Sequence, residues 1–259
     1  MIELYHWEPN TFALKPLIVL HEKGVAFQSR YVDALAFGQY ALPFATQLEV
    51  EHNPEGEGPI LVVDGVPMTE SFFISLYLDE AYPDKPLRAA DAANRWRVLM
   101  WARFVNEVLA PAIATLGCKK YLAPALKARD RAAIERAIAK IPTQEQRDGW
   151  RAALDNAYGA DLVEDSRRKI GLAVKKVEDA LASAEWLAGP AYSLADIDMY
   201  ALLAPVRDLA PDLLESAPKT KAWLARIDAR PAVKKALATS KTGRPHEAYA
   251  PGPEHSRWG

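Results

Sequence analysis

Residues 8–17, Glu-Pro-Asn-Thr-Phe-Ala-Leu-Lys-Pro-Leu, stand where a short strand hands over to a helix. Asn10 and Thr11 carry short polar side chains that can donate hydrogen bonds, and both types are also ordinary turn formers. Pro16 has no N–H and fits among the first helical positions, which predicts the helix cap near Ala13. Alanine cannot cap, and its use where Ser, Thr, Asn or Asp is preferred typically costs about 1 kcal/mol. A second constellation runs from Gly58-Pro59, with the proline at the start of a strand, to the polar pair Glu70-Ser71 opening a helix. The first N–H groups of a helix lack intrahelical acceptors and attract anions. A third pairs Ser193 with Asp196 as a capping box in which Asp replaces Glu, so Asp196 and its neighbour Asp198 read as structural.

Other chemistries are excluded. The single cysteine, Cys118, allows no internal disulfide and suits a reducing compartment; it reads as a small buried apolar residue. The five histidines are scattered without metal-ligand spacing, so no metal is expected. With 32 Lys plus Arg against 34 Asp plus Glu, there is no electrostatic case for nucleic acid or a membrane surface. The N-terminus has neither a basic nor an apolar leader region, and no apolar run approaches the roughly 18 residues of a membrane span. A cytoplasmic protein is expected.

The elements that must position these residues divide the 259-residue chain in two. Residues 2–7 and 27–33 read as strands on either side of a helix closed by Gly24. Two short strands then flank Asp64-Gly65, a strong hairpin signal, and an amphipathic helix runs to Pro83. From about residue 91 to 240 the apolar positions recur at helical spacing. The expectation is an α/β layer domain over 1–84, an all-helical domain over 90–240 and an irregular Pro- and Gly-rich tail over 241–259.

An α/β domain with Pro59 at a strand start and Glu70-Ser71 at a helix start, followed by an all-helical domain, resembles the cytosolic glutathione transferases. The resemblance implies a thioredoxin-like first domain. It also implies a cis Pro59 shaping, with Gly58, the wall where the glutathione backbone pairs, and Glu70 and Ser71 holding its γ-glutamyl end. Within that family the chain is most similar to the β-etherase branch of lignin degradation, through residues 14–27, 69–83, 141–150, 186–197 and 222–235. Residues 141–150 weigh most, because they lie in an insertion of the helical domain that ordinary transferases lack. The implied reaction is attack of glutathione thiolate on the carbon bearing an aryloxide, next to a ketone. It gives a glutathione thioether and a free phenol. The implied partner is a related chain, in a homodimer or heterodimer formed by the first domain of one subunit and the helices of the other.

The resemblance also marks departures. Relatives carry a serine or another polar donor at position 13, aimed at the glutathione sulfur. Here the residue is Ala13, preceded by Phe12. A free thiol near pKa 8.5 is mostly protonated at neutral pH, so the sulfur needs help from another donor. Thr11 or Asn10 could supply it, as could the backbone N–H groups of Ala13 and Leu14, or the chain could be a catalytically weak subunit of a heterodimer or a carrier of phenolic ligands. Glu57, with Glu55 near it, stands where relatives place basic or neutral polar residues, and would repel the glycyl carboxylate of glutathione. For an aromatic ether the candidate pocket lies between the domains. It takes Trp7 and Phe12 from the first, and Trp101, Phe104 and Tyr121 from the second, with Met100 and Val108 on the same helical face as Trp101 and Phe104. That face also reads simply as core. Arg95, Arg97 and Arg103 beside it read as surface cations.

Overall fold

A computed structural model describes residues 1–42, 58–88 and 91–252. The chain begins with β1 (Ile2–His6), α1 (Thr11–Lys23) and β2 (Gln28–Tyr31), and continues through β3 (Ile60–Val63), β4 (Val66–Met68) and α2 (Ser71–Ala81). The sheet order is β2-β1-β3-β4, with β1 parallel to β2 and antiparallel to β3, and β4 antiparallel to β3. This is a thioredoxin-like domain with a mixed four-stranded sheet. Local chemistry sets its turns. Asp64 and Gly65 both take positive φ, 50° and 87°, the twist a two-residue hairpin needs. Gly24 ends α1 at φ 70°.

The register decides what meets at the sheet edge. Tyr5, near the end of β1, pairs with Ile60 at the start of β3, and Leu61 pairs with Met68 at the end of β4. The β1–α1 loop, Gly58-Pro59 and the start of α2 therefore converge on one edge.

The helical domain follows: α3 (Ala92–Phe104), α4 (Ala110–Gly117), α5 (Ala123–Lys127), α6 (Arg131–Ile138), α7 (Gln144–Leu154), α8 (Ala160–Ala180), α9 (Leu194–Leu203), α10 (Val206–Leu209), α11 (Pro218–Asp228) and α12 (Pro231–Leu237). Residues Ala92–Lys127 form one continuous helix, long and apolar enough by length and composition to cross a membrane. The sequence expectation of no such apolar run is corrected here. Part of it is buried instead, where α3 packs against α9 and α4 against α8, while Trp96, Leu99 and Met100 of α3 stay exposed. Two π turns, Val105–Leu109 and Cys118–Leu122, interrupt it, each just before a proline, Pro111 and Pro124. A proline ring clashes with the carbonyl four residues back, and a π turn widens the helix there.

Two sequence expectations change. Helix α1 starts at Thr11 with Asn10 at the N-cap position, its side chain making no cap bond, so Pro16 lies in the second turn and Ala13 is not the cap. All ten residues from Thr11 to Leu20 are buried, and this packing carries the missing hydrogen bond at Pro16. Residues 240–252 form no helix or strand beyond a short 3₁₀ turn, and they do not hang free: Ala248, Tyr249 and Ala250 are buried in the core. We call this segment the strap.

Candidate functional site

At the shared edge the described chain gathers Trp7, Asn10, Thr11, Phe12, Ala13, Gly58, Pro59, Glu70 and Ser71. The Gly58-Pro59 bond is cis and Gly58 sits at φ 77°, with the Tyr5 carbonyl 4.0 Å from where a Cβ would stand. Glu57 and Glu55 lie outside the described residues. Glu70 stands at the N-cap position of α2 with φ 67° and no side-chain cap bond, and its carbonyl accepts from Ile74 N at 2.9 Å. Ser71 is fully buried. A carboxylate followed by first-turn N–H groups offers one acceptor and several donors, a fit for an amino acid's ammonium and carboxylate.

Thr11 has φ 39°, the left-handed region that a β-branched residue avoids. Such backbone costs on the order of 1–3 kcal/mol and persists only where its surroundings over-determine it. The surroundings are on both sides. Asn10 Nδ2 donates to the Ala248 carbonyl at 2.9 Å, so this amide binds the strap. Glu8, 2% exposed, accepts from Tyr31 Oη at 3.0 Å, from the backbone N–H groups of Lys241 and Thr242 at 3.0 and 3.1 Å, and from Ser240 Oγ. Burial pushes the Glu8 carboxyl up, but these donors outweigh it and hold the group below its ordinary range. Beside it His6 Nε2 meets Ser29 Oγ at 2.7 Å, and burial keeps this imidazole below its ordinary value.

Ala13 and Phe12 are buried, 1% and 4% exposed. The Lys15 ammonium stands 4.8 Å from the Phe12 ring centroid and 2.7 Å from Asp198 Oδ1, with Asn106 Oδ1 at 3.3 Å. This pair is wholly buried and joins α1 to α9. Burial pushes the Asp198 carboxyl up, and Lys15 opposes that. Asp196 is structural in the way its capping box implies. Its carboxylate accepts from Ser193 N, Ser193 Oγ, Leu187 N and Trp223 Nε1, all at 3.0 Å.

The aromatic candidates divide. Trp101 Nε1 donates to the Leu187 carbonyl at 2.9 Å, and Lys176 of α8 covers both the Trp101 and Phe104 rings, at 4.8 and 5.5 Å. Met100 is 41% exposed, so the four-residue face of Met100, Trp101, Phe104 and Val108 does not hold together. The π turn at Val105–Leu109 shifts the helical phase before Val108. Tyr121 stands in the second π turn, hydrogen bonded to Asp208 and stacked on Tyr249 of the strap at 6.0 Å and 6°. Arg97 and Arg103 are exposed, and Arg103 pairs with Glu107 one turn on. Cys118 is buried.

The strap thus ties the β1–α1 loop, through Asn10 and Ala248, to Tyr121, through Tyr249. No single local signal announced it. The trace it leaves in the sequence is distant: a Cβ on Gly117 would lie 2.1 Å from a Tyr249 ring carbon, and one on Gly149 would lie 2.9 Å from Pro251. Gly149 belongs to the stretch 141–150, whose Trp150 is fully buried against Phe37 at 4.7 Å between ring centroids. Among the described residues no group of three or more His, Cys, Asp or Glu is placed to hold a metal ion.

Residues 11–81 match the family described as glutathione S-transferase, N-terminal domain, and residues 132–231 match glutathione S-transferase, C-terminal domain. Protein LigF of Sphingobium sp. (strain NBRC 103272 / SYK-6) is 33% identical over 248 residues, 93% of this chain and 94% of that protein. The crystal structure of beta-etherase LigF from Sphingobium sp. strain SYK-6 superposes with a TM-score of 0.83 at 31% identity, covering 92% of this chain and 99% of that one. Glutathione transferase F7 from Populus trichocarpa gives a TM-score of 0.67 at 25% identity, over 92% of this chain and 98% of the other.

Proposed function

Because the chain belongs to the glutathione S-transferase family, we propose that it cleaves β-aryl ethers of lignin-derived aromatics with glutathione, in the cytoplasm. The sulfur attacks the carbon that bears the aryloxide, next to the ketone. A C–S bond forms, the C–O bond breaks with its electron pair leaving on oxygen, and the phenoxide takes a proton to become the phenol. The observation that carries this reading is the likeness to beta-etherase LigF along nearly the whole chain.

In this reading Glu70 takes the glutathione α-ammonium, Ser71 and the first N–H groups of α2 take the γ-glutamyl carboxylate, and Gly58-Pro59 lines the peptide backbone. Thiolate stabilisation falls to Thr11 and to the first-turn N–H groups of α1, Ala13 among them, since the Asn10 amide is engaged by Ala248. The aromatic ether lies beside Trp7, Phe12 and Tyr121, with Trp101 and Phe104 packed behind. The first domain ends near residue 84 and the second begins near 90. Members of the family are typically dimeric, and an apolar face of Phe73, Trp96, Leu99 and Met100, each 41–63% exposed, supports pairing of α2 with α3 of a second subunit.

The test is phenol release from a racemic α-keto β-aryl ether by the purified chain with glutathione. Release from half the substrate fits a stereospecific enzyme acting without the serine. No release from a folded dimer rejects the reading in favour of the catalytically weak subunit, whose observation is the buried methyl of Ala13 at the place of the donor.

A further inference from the structure

The strap meets the thiol loop at two points that the reaction itself does not call for. Glu8 is a buried carboxylate two residues past the end of β1, and three of its four donors among the described residues, Ser240, Lys241 and Thr242, belong to the strap. Asn10 makes the second tie, to Ala248. Between these ties and the helix stands Thr11 at φ 39°. With a methyl at position 13, whatever stabilises a thiolate here depends on the direction of backbone N–H groups and of the Thr11 side chain. Both directions are set by the dihedral angles of this loop.

We propose that Glu8 is a positioning residue: by gripping the strap it holds the β1–α1 loop in the conformation that aims the first-turn donors of α1 at the glutathione sulfur. This rests on the reading that the site binds glutathione. The charged state matters, because an ionised carboxylate accepts at both oxygens, and only then are all four donors satisfied. The titratable and charged groups around it are His6 on β1, Tyr31 on β2 with Asp33 beyond it, and Lys241 on the strap. None of them is a donor to the sulfur in the proposed mechanism. The carboxylate acts on the thiol only through the loop.

The experiment titrates the bound thiol. Glutathione is saturated onto the full chain, and the ultraviolet absorbance of the thiolate is followed against pH for the wild type, Glu8→Gln and Ser240→Ala. Glutathione affinity is measured in parallel by calorimetry. A positioning role raises the pKa of the bound thiol by about one unit in Glu8→Gln, which lowers the thiolate fraction about tenfold at a fixed pH below it. It raises that pKa less in Ser240→Ala, and glutathione affinity changes less than about threefold in either. Identical titrations in all three proteins overturn the proposal, as does a wild-type bound thiol that titrates at the value of free glutathione. If Glu8→Gln fails to fold, Ser240→Ala decides, since it removes one donor and leaves the carboxylate in place. A wild type that binds thiolate and responds to both substitutions, yet releases no phenol from any ether, supports the positioning role while refuting the proposed reaction.

Discussion

Replacing Gly117 with alanine sets two physical effects against each other. Gly117 ends α4, and in a helix an alanine is favoured over glycine by about 1 kcal/mol. Propensity alone therefore calls for a more stable protein. The packing calls for the opposite: the new Cβ would fall 2.1, 2.3 and 2.4 Å from three ring carbons of Tyr249. Ordinary carbon contacts are near 3.5–4.0 Å, so a shift of a few tenths of an ångström does not relieve the clash. The ring has to leave its seat, and Tyr249 is 2% exposed there. Overpacking a dense interior costs about 1–3 kcal/mol and sometimes more. At the upper end of that range, where a clash this deep belongs, a net loss of about 2 kcal/mol remains after the propensity gain, or a fall in Tm of about 4–8 °C for a chain of this size. Calorimetry reads the Tm, and limited proteolysis reads release of the strap, cut between about residues 240 and 252. A double-mutant cycle isolates the cause: Tyr249→Ala is harmful alone, but in its presence Gly117→Ala should cost nothing and regain part of the helix propensity. An unchanged or higher Tm for Gly117→Ala, with the strap still protected, would refute the steric argument. Equal costs of Gly117→Ala with and without Tyr249 would do the same.

Three further expectations rest on the buried charges and on Ala13. Lys15→Met leaves Asp198 buried without its cation and should cost about 3–5 kcal/mol in urea unfolding, whereas Lys15→Met with Asp198→Leu should lie within about 1 kcal/mol of the wild type; equal losses would contradict this. Glu8 has a folded-state pKa below its unfolded value, so its contribution is fully present above the unfolded pKa and is lost as the pH falls through the folded one. The Tm of Glu8→Gln should accordingly converge on that of the wild type in acid, and parallel pH curves would count against it. Ala13→Ser should raise phenol release without gaining helix stability, because the position lies inside the first turn; a rise in Tm with no rise in rate would restore the capping role.

The parts of the fold that were readable from the sequence are those decided by one or two residues. Asp64-Gly65 needs only its own positive φ values to make a hairpin, Gly24 its own left-handed turn, and Ser193 with Asp196 a span of three residues. Where distant packing outweighs a local rule, the reading failed. Pro16 points to a cap near Ala13, yet a fully buried first half of α1 tolerates the lost hydrogen bond and the helix begins at Thr11. Counting by threes and fours placed Met100 with Trp101 and Phe104, but the face breaks up: Met100 lies outside it and a π turn shifts the phase before Val108. The two prolines that follow the π turns were the available signal. The strap left no periodicity at all. Its seat is built by Gly117 and Gly149, more than a hundred residues from the loop that it braces.

The ties between Glu8 and Ser240, and between Asn10 and Ala248, join residues 232 and 238 positions apart. A chain made from its N-terminus at about 5–20 residues per second cannot brace the β1–α1 loop until 232 further residues have followed Glu8, roughly 12–50 seconds later. The sheet and α1 can assemble early, but the surroundings of this loop are completed only when residues 240–248 have been made. A chain cut before residue 240 would therefore keep the residues of the first domain and lack both ties that brace its β1–α1 loop.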